Sequence, residues 1–194
     1  MQLRSQRSGL GSWQARIGGL AAMGALYFWS QQPDPNRDAR MPQIQVTLLD
    51  NLDSTASRYR ERANDLQNQA IWNDRAEMLC DVFKDPEFHD WFARVDSISQ
   101  TMSGKVAFSV KLSSKVTFRT IAAQLFDLDQ KTLIAKDSAL FETIYGLSVG
   151  QRVYVSGQFI SKQPYCIPQG TYSGSDSLEY PEFIVRFTKI TAAG

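Results

Sequence analysis

Apolar and polar side chains alternate with a period of two along much of the second half of this chain. The pattern is clearest at residues 105–112, where Val106, Phe108, Val110 and Leu112 face one way and the residues between them face the other. This period is that of a β-strand with one buried face. Comparable patterns predict four more strands, at residues 95–100, 116–122, 151–160 and 182–190.

A short helix is predicted between the third and fourth of these strands. Asp137 and Ser138 are suitable N-terminal caps, and Gly146 is a suitable end. We expect the buried side of this helix to consist of Leu140, Phe141, Ile144 and Tyr145. The predicted order is therefore three strands, one helix and two strands.

That order resembles the OB-fold, a five-stranded Greek-key barrel. Residues 147–157, which read LSVGQRVYVSG, are similar to the recurrent OB pattern in which an apolar residue and Gly precede a V-x-V-x-G strand. The resemblance covers about residues 91–190 and is closest to the tRNA-anticodon-like OB domains of bacterial membrane-tethered proteins. It implies an α+β fold with a five-stranded OB-like β-barrel (β-β-β-α-β-β), but it names no ligand, because OB-folds host many unrelated tasks.

A long amphipathic helix is predicted ahead of the barrel. It begins at Asp53 or Ser54 and continues to residue 84, with an apolar stripe made of Ala56, Tyr59, Ala63, Leu66 and Ala70. We interpret its first half as a solvated stalk. The spacing also permits a homo-oligomer through residues 53–84. A short helical turn that starts at Pro86 is expected to plug the barrel with Phe88, Trp91 and Phe92.

The N-terminus combines a basic start with a short apolar segment. Arg4, Arg7 and Arg16 precede the uncharged residues 17–29, and residues 13–32 together approach the length of a membrane span. Three interpretations stay open: an uncleaved membrane anchor, which we favour for the aromatic cluster at residues 27–29, a cleaved signal peptide, and a buried or interfacial helix.

Four regions follow from these patterns. Residues 1–32 form the basic and apolar anchor or signal segment, residues 33–52 a linker marked by three prolines, residues 53–92 the acidic helix with its turn, and residues 93–194 the barrel domain. Lys and Arg minus Asp and Glu give +3 for residues 1–40, −5 for residues 41–90 and +3 for residues 91–194, which sum to the net charge of +1.

Few residues with catalytic chemistry are present. The chain has one His, His89, and two Cys, which cannot build the usual zinc sites, and it carries no P-loop, dinucleotide or hydrolase motif. We therefore expect a non-enzymatic protein with no metal and no cofactor. The cysteines, Cys80 and Cys166, are either a disulfide, which an oxidising compartment would favour, or two buried small side chains.

OB domains bind ligands over strands two and three and the adjoining loops. Transferred onto this chain, that face carries seven candidate ligand-binding residues: Lys105, Lys111, Lys115, Arg119, Lys162, Tyr165 and Tyr172. Cations that bind phosphates, combined with aromatic rings that stack on bases, are typical of surfaces that bind single-stranded nucleic acid. However, Phe108 and Phe118 are in phase with the core residues, so the face lacks outward rings, and nucleic-acid binding is disfavoured.

The leading hypothesis is a membrane-tethered OB-fold binding or scaffold module that acts outside the cytoplasm on a protein or glycan partner. It places the protein in the inner membrane as a single-pass bacterial protein with its C-terminal domain in the periplasm. Signal cleavage would instead leave it secreted or periplasmic. A single-stranded nucleic-acid-binding OB protein is the alternative function.

Overall fold

A computed structural model describes residues 39–121, 131–160 and 176–194 of the protein. The elements in these ranges are, in chain order, α1 (Gln43–Glu61), α2 (Asp65–Val82), β1 (Glu87–Gln100), β2 (Val106–Lys111), β3 (Thr117–Arg119), α3 (Ala139–Tyr145), β4 (Arg152–Phe159), α4 (Asp176–Glu179) and β5 (Glu182–Ala192).

The five strands close into a barrel in the order β1-β2-β3-β5-β4. Strands β3 and β5 are parallel, whereas every other neighbouring pair, including β4 with β1, is antiparallel. The prediction of an α+β chain with a five-stranded barrel is confirmed, and the arrangement is consistent with an OB-like barrel.

The barrel interior is aromatic at its centre. Rings from four strands meet there: the Phe118 centroid lies 5.2 Å from that of Phe88, 5.1 Å from that of Phe159 and 5.7 Å from that of Phe183. The predicted inward residues Val106, Phe108, Val110 and Leu112 are all buried, as are Val116, Phe118 and Thr120. The alternation therefore identified the core face of β2 and β3 correctly.

Strand β1 replaces the predicted helical turn. It begins at Glu87, so residues 86–92 are not helical and the predicted boundary at residue 93 falls inside a strand. Phe88 and Trp91 are three residues apart yet both buried, because a register shift between them inserts an extra residue into the strand. A β-bulge of this kind turns an odd spacing to one face. The spacing of three residues between Phe88 and Trp91 therefore results from a β-bulge and not from a helical turn.

The position of helix α1 contradicts two predictions, the linker at residues 33–52 and the solvated stalk that follows it. It starts at Gln43, so residues 43–52 of the predicted linker are helical, and the start at Asp53 or Ser54 was wrong. Leu48, Leu49 and Leu52 are buried in the same core cluster as the barrel strands. Because these side chains complete the barrel core, the helix is part of the folded domain and not a solvated spacer.

The predicted single helix is broken into two. Arg62 is extended, and Asn64 begins α2 by accepting a hydrogen bond from the Gln67 amide at 3.1 Å. Gln67 Oε1 in turn accepts from the Ala63 amide at 2.6 Å, which resembles a capping box. Of the predicted stripe, Ala56 and Tyr59 are buried, while the remaining members, Ala63, Leu66 and Ala70, are exposed.

Helices α1 and α2 pack against each other after this break. Tyr59 of α1 and Ile71 of α2 share a small buried cluster with Leu178 of α4. The homo-oligomer through residues 53–84 stays a prediction; within that range, Ala56 and Tyr59 of α1 are buried in the chain, whereas Leu66 of α2 is exposed.

Helix α3 has the predicted caps but a narrower buried side. The Ser138 hydroxyl accepts a hydrogen bond from the Phe141 amide, and Gly146 ends the helix. Ile144 is buried and Leu140 and Phe141 are partly buried against the core, whereas Tyr145 is 83% exposed. The prediction for Tyr145 was wrong: at about 100° per residue its side chain lies about 140° around the helix axis from that of Leu140, and it faces solvent.

Within the described ranges, no helix is both long enough and apolar enough to cross a membrane. The predicted anchor at residues 13–32 lies outside the described residues.

Candidate binding face

A shallow polar cleft lies on the outside of β1, β2 and β3, on the face that OB domains use for ligands. Its volume is about 160 Å³. We call it the polar cleft. It is lined by Ala107, Phe108 and eight polar residues: Asp96, Ser97, Ser99, Ser109, Thr117, Arg119, Thr120 and Glu182.

The Asp96 carboxylate organises one side of the polar cleft. It accepts a hydrogen bond from the Ser109 hydroxyl at 3.0 Å and lies 3.3 Å from Nζ of Lys111. The Ser109 hydroxyl also lies 2.7 Å from that of Ser97 across the β1–β2 ladder. Lys111 is therefore held beside the cleft by a carboxylate.

Arg119 and Glu182 form the other side. Nε of Arg119 lies 3.0 Å from Oε2 of Glu182, and both side chains are about two thirds buried. Glu182 reaches this position because β5 runs parallel to β3, with Thr117 opposite Glu182 and Arg119 opposite Ile184. Closure of the barrel thus brings a carboxylate to the cation that the sequence singled out.

The other predicted binding residues lie elsewhere. Lys115 lies in the turn between β2 and β3, where its Nζ is 3.4 Å from Oδ1 of Asp53 on α1. Lys105 is half-buried just before β2. Lys162, Tyr165 and Tyr172 lie outside the described residues. Of the four candidates in the described residues, the structure therefore brings Lys111 and Arg119 together at the polar cleft.

The polar cleft and its margin balance two cations, Lys111 and Arg119, with two carboxylates, Asp96 and Glu182. The rings of Phe108 and Phe118 are buried inside the barrel, with exposures of 1% and 0%. Neither ring can stack on a base. The arrangement offers hydroxyl groups and paired charges, which suits hydrogen bonding to a polar, uncharged partner.

A second polar cluster stabilises the bulge in β1. Asp90 has a φ of 50°, and its amide donates to the Ser156 hydroxyl at 2.9 Å. Lys189 Nζ donates to the Asp90 carboxylate at 3.0 Å, and this contact lowers the pKa of Asp90 below its ordinary value. His89, in contrast, lies 3.5 Å from Glu87. Asp90 is therefore engaged by β4 and β5 and does not orient His89.

The sulfur of Cys80, at the end of α2, is part of a disulfide. Cys166 is the other cysteine of the sequence and lies outside the described residues, so its pairing with Cys80 stays a prediction. Among the residues that the structure describes, no three His, Cys, Asp or Glu side chains are grouped closely enough to hold a metal ion.

Sequence reasoning missed most of the polar cleft. The signal for its hydroxyl groups was present, since Ser97 and Ser99 alternate along β1 and Ser109 occupies the outward phase of β2. Asp96 and Glu182 had no such signal, because their roles depend on which strands become neighbours.

No family model, curated protein or solved structure matches this chain. The resemblance to the tRNA-anticodon-like OB domains therefore stays a prediction.

Proposed function

We propose that this protein is a non-enzymatic binding module whose polar cleft contacts a polar, uncharged surface of a partner protein. The observation that carries this proposal is the pairing of both cleft cations with carboxylates beside a row of hydroxyl groups. Such a surface offers hydrogen bonds without a net charge.

The size of the polar cleft supports a macromolecular partner. Its volume is about 160 Å³. Sites for small molecules and cofactors usually enclose about 300–1,000 Å³. A cleft of this size accommodates one polar side chain of a partner, with the surrounding strand surface as the remainder of the contact.

The charge balance argues against the alternative, a single-stranded nucleic-acid binder. Such proteins combine a positive groove with exposed stacking rings, whereas Lys111 and Arg119 are paired and Phe108 and Phe118 are buried. If the alternative held, a fluorescent oligonucleotide would bind at low salt, and charge reversal at Lys111 and Arg119 would abolish binding. Two phosphate contacts would give a salt slope of about −1.4 on logarithmic axes.

The proposal places the module on a membrane, outside the cytoplasm. Two observations support this location: the basic and apolar sequence of residues 1–32, and the disulfide at Cys80, since disulfides persist in oxidising compartments. Washing membranes with alkaline carbonate should retain the full chain in the pellet. Recovery of the chain in the soluble fraction would contradict the tether.

A photocrosslinking amino acid tests the polar cleft directly. It replaces Ser99 in the cleft or, as a matched control, Thr188, an exposed residue of β5. Thr188 is six residues beyond Glu182, about 20 Å along the strand. We expect a discrete adduct with a partner protein from the Ser99 position alone in intact cells. Equal adducts at both positions, or none at Ser99, would contradict the proposal.

A further inference from the structure

Arg75 is a buried cation on the inner side of α2. Its residue exposure is 1%, and Nη1 donates a hydrogen bond to the backbone oxygen of Ser177 at 2.7 Å. This bond joins α2 to α4. Buried arginines usually pair with a carboxylate, because an isolated charge away from water is costly.

In the described part of the chain, the remaining edge of this guanidinium has no acceptor. Among the residues that the structure describes, Nε and Nη2 of Arg75 are buried and donate to no hydrogen-bond partner. These two nitrogens lie on one side of the planar guanidinium, with their hydrogens parallel, which is the geometry that grips two oxygens of one anionic group. The Trp72 ring, with its centroid 5.9 Å from Cζ, supplies a weaker cation–π contact.

The guanidinium remains charged in this environment. Burial lowers the pKa of Arg75 from its ordinary value to about 10, which is still well above neutral pH. A charged, desolvated edge with two aligned donors favours an oxyanion over a neutral acceptor, since hydrogen bonds between ions are roughly twice as strong as neutral ones.

We propose that the Nε and Nη2 edge of Arg75 is a binding site for a small dissolved oxyanion, a carboxylate or a phosphate. The occupant is small because Arg75 is almost fully buried, so the surface of a macromolecule cannot reach it. Because Ser177 and Leu178 of the four-residue helix α4 are buried, binding at this site requires that this helix opens locally to admit the ion. The site uses α2 and α4 and none of the residues of the polar cleft.

Thermal unfolding of the full chain tests this site. Sodium acetate and sodium phosphate are titrated separately against sodium chloride of equal ionic strength. We expect one or both oxyanions to raise the unfolding midpoint saturably, by about 3 to 5 °C at ten times the dissociation constant. Saturation by acetate alone assigns a carboxylate, and saturation by phosphate alone assigns a phosphate.

Two variants and one control separate the site from general salt effects. Arg75→Met should remove the saturable rise. Arg75→Lys keeps the charge without the forked edge and should weaken anion binding at least tenfold, even if the methionine variant folds poorly. Arg58→Met removes an exposed cation that pairs with Asp74 and should leave the rise intact.

Two results would overturn the proposal. The first is a rise that is linear in salt and equal in wild type and the Arg75 variants, which is the general effect of excluded anions. The second is an Arg75→Lys variant that binds anions as wild type does.

Discussion

Gly157 lies where β4 approaches its two neighbouring strands closely. It faces Phe88 of β1 and Phe187 of β5, beside a register shift in the β4–β5 ladder. A Cβ atom at this position would collide with the Arg186 carbonyl oxygen and lie 2.8 Å from Cζ of Phe88. The final Gly of the V-x-V-x-G pattern is thus explained by space, since any side chain would push the bulge apart.

Gly157→Ala should lower the free energy of unfolding by about 1–3 kcal/mol, the usual cost of overpacking a core. The matched control is Gly194→Ala, where an added Cβ would have no neighbour within 4 Å. Urea unfolding measures both. A Gly157→Ala protein as stable as the control would show that this close approach relaxes at no cost.

Asp90 combines a left-handed backbone with an ion pair. Because its φ is 50°, Asp90→Gly should relieve backbone strain, whereas Asp90→Ala should retain it and be less stable than the glycine variant by about 1 kcal/mol. The hydrogen bond from Lys189 lowers the pKa of Asp90 below its ordinary value. The carboxylate therefore stabilises the fold above about pH 4, and this contribution is lost as the pH falls through the lowered pKa.

The pH dependence is small because the Asp90 side chain is 59% exposed. We expect the stability of wild type relative to Asp90→Gly to fall by less than about 1 kcal/mol between pH 5 and pH 2. Urea unfolding over this pH range measures the difference. A rise in the stability of wild type relative to Asp90→Gly as the pH falls would contradict the assigned direction.

At the scale of elements, α1 is bound to the barrel by a side chain that acts as a strand partner. The β1–β2 ladder begins at Arg94, so Phe92 has a strand partner in β4 but none in β2. Gln45 fills this position: its Oε1 accepts from the Phe92 amide at 2.9 Å, and its Nε2 donates to the Phe92 carbonyl at 2.6 Å. Gln45 is fully buried.

Gln45→Ala leaves two buried backbone groups without partners. At about 1–3 kcal/mol for each unsatisfied group, we expect a loss of about 2–6 kcal/mol in the free energy of unfolding. Gln43→Ala, two residues earlier and exposed, is the control. If α1 were only a spacer, the two variants would be equally stable, and that outcome would contradict its role in the core.

At the scale of the whole molecule, a disulfide at Cys80 constrains the unfolded chain. If its partner is Cys166, the bond closes a loop of 86 residues (166 − 80). Loss of chain entropy in the unfolded state would then stabilise the fold by about 4.6 kcal/mol for a loop of this size. Reduction should therefore lower the unfolding midpoint substantially.

The Cys80→Ala, Cys166→Ala double variant should be insensitive to reductant, and it serves as the control. Mass analysis of non-reduced peptides should find Cys80 and Cys166 in one linked pair. Two copies of the chain joined through Cys80 would contradict this pairing.

The sequence by itself determined the features that depend on near neighbours. Alternation at Val106, Phe108 and Val110 identified the core face of β2, because successive side chains of a strand point to opposite sides. Ser138 and Gly146 delimited α3, because helix ends are satisfied locally. These patterns also predicted five strands, and the resemblance of their order to the OB-fold implied that they form a barrel.

Only the tertiary structure decided which distant residues meet. The bulge at Asp90 turned Phe88 and Trp91 to one side, and the position of α1 under the barrel buried Leu48. Glu182 joined Arg119 because β5 is parallel to β3. Such pairings arise when the barrel closes and brings together residues far apart in the chain, and no local spacing encodes that closure.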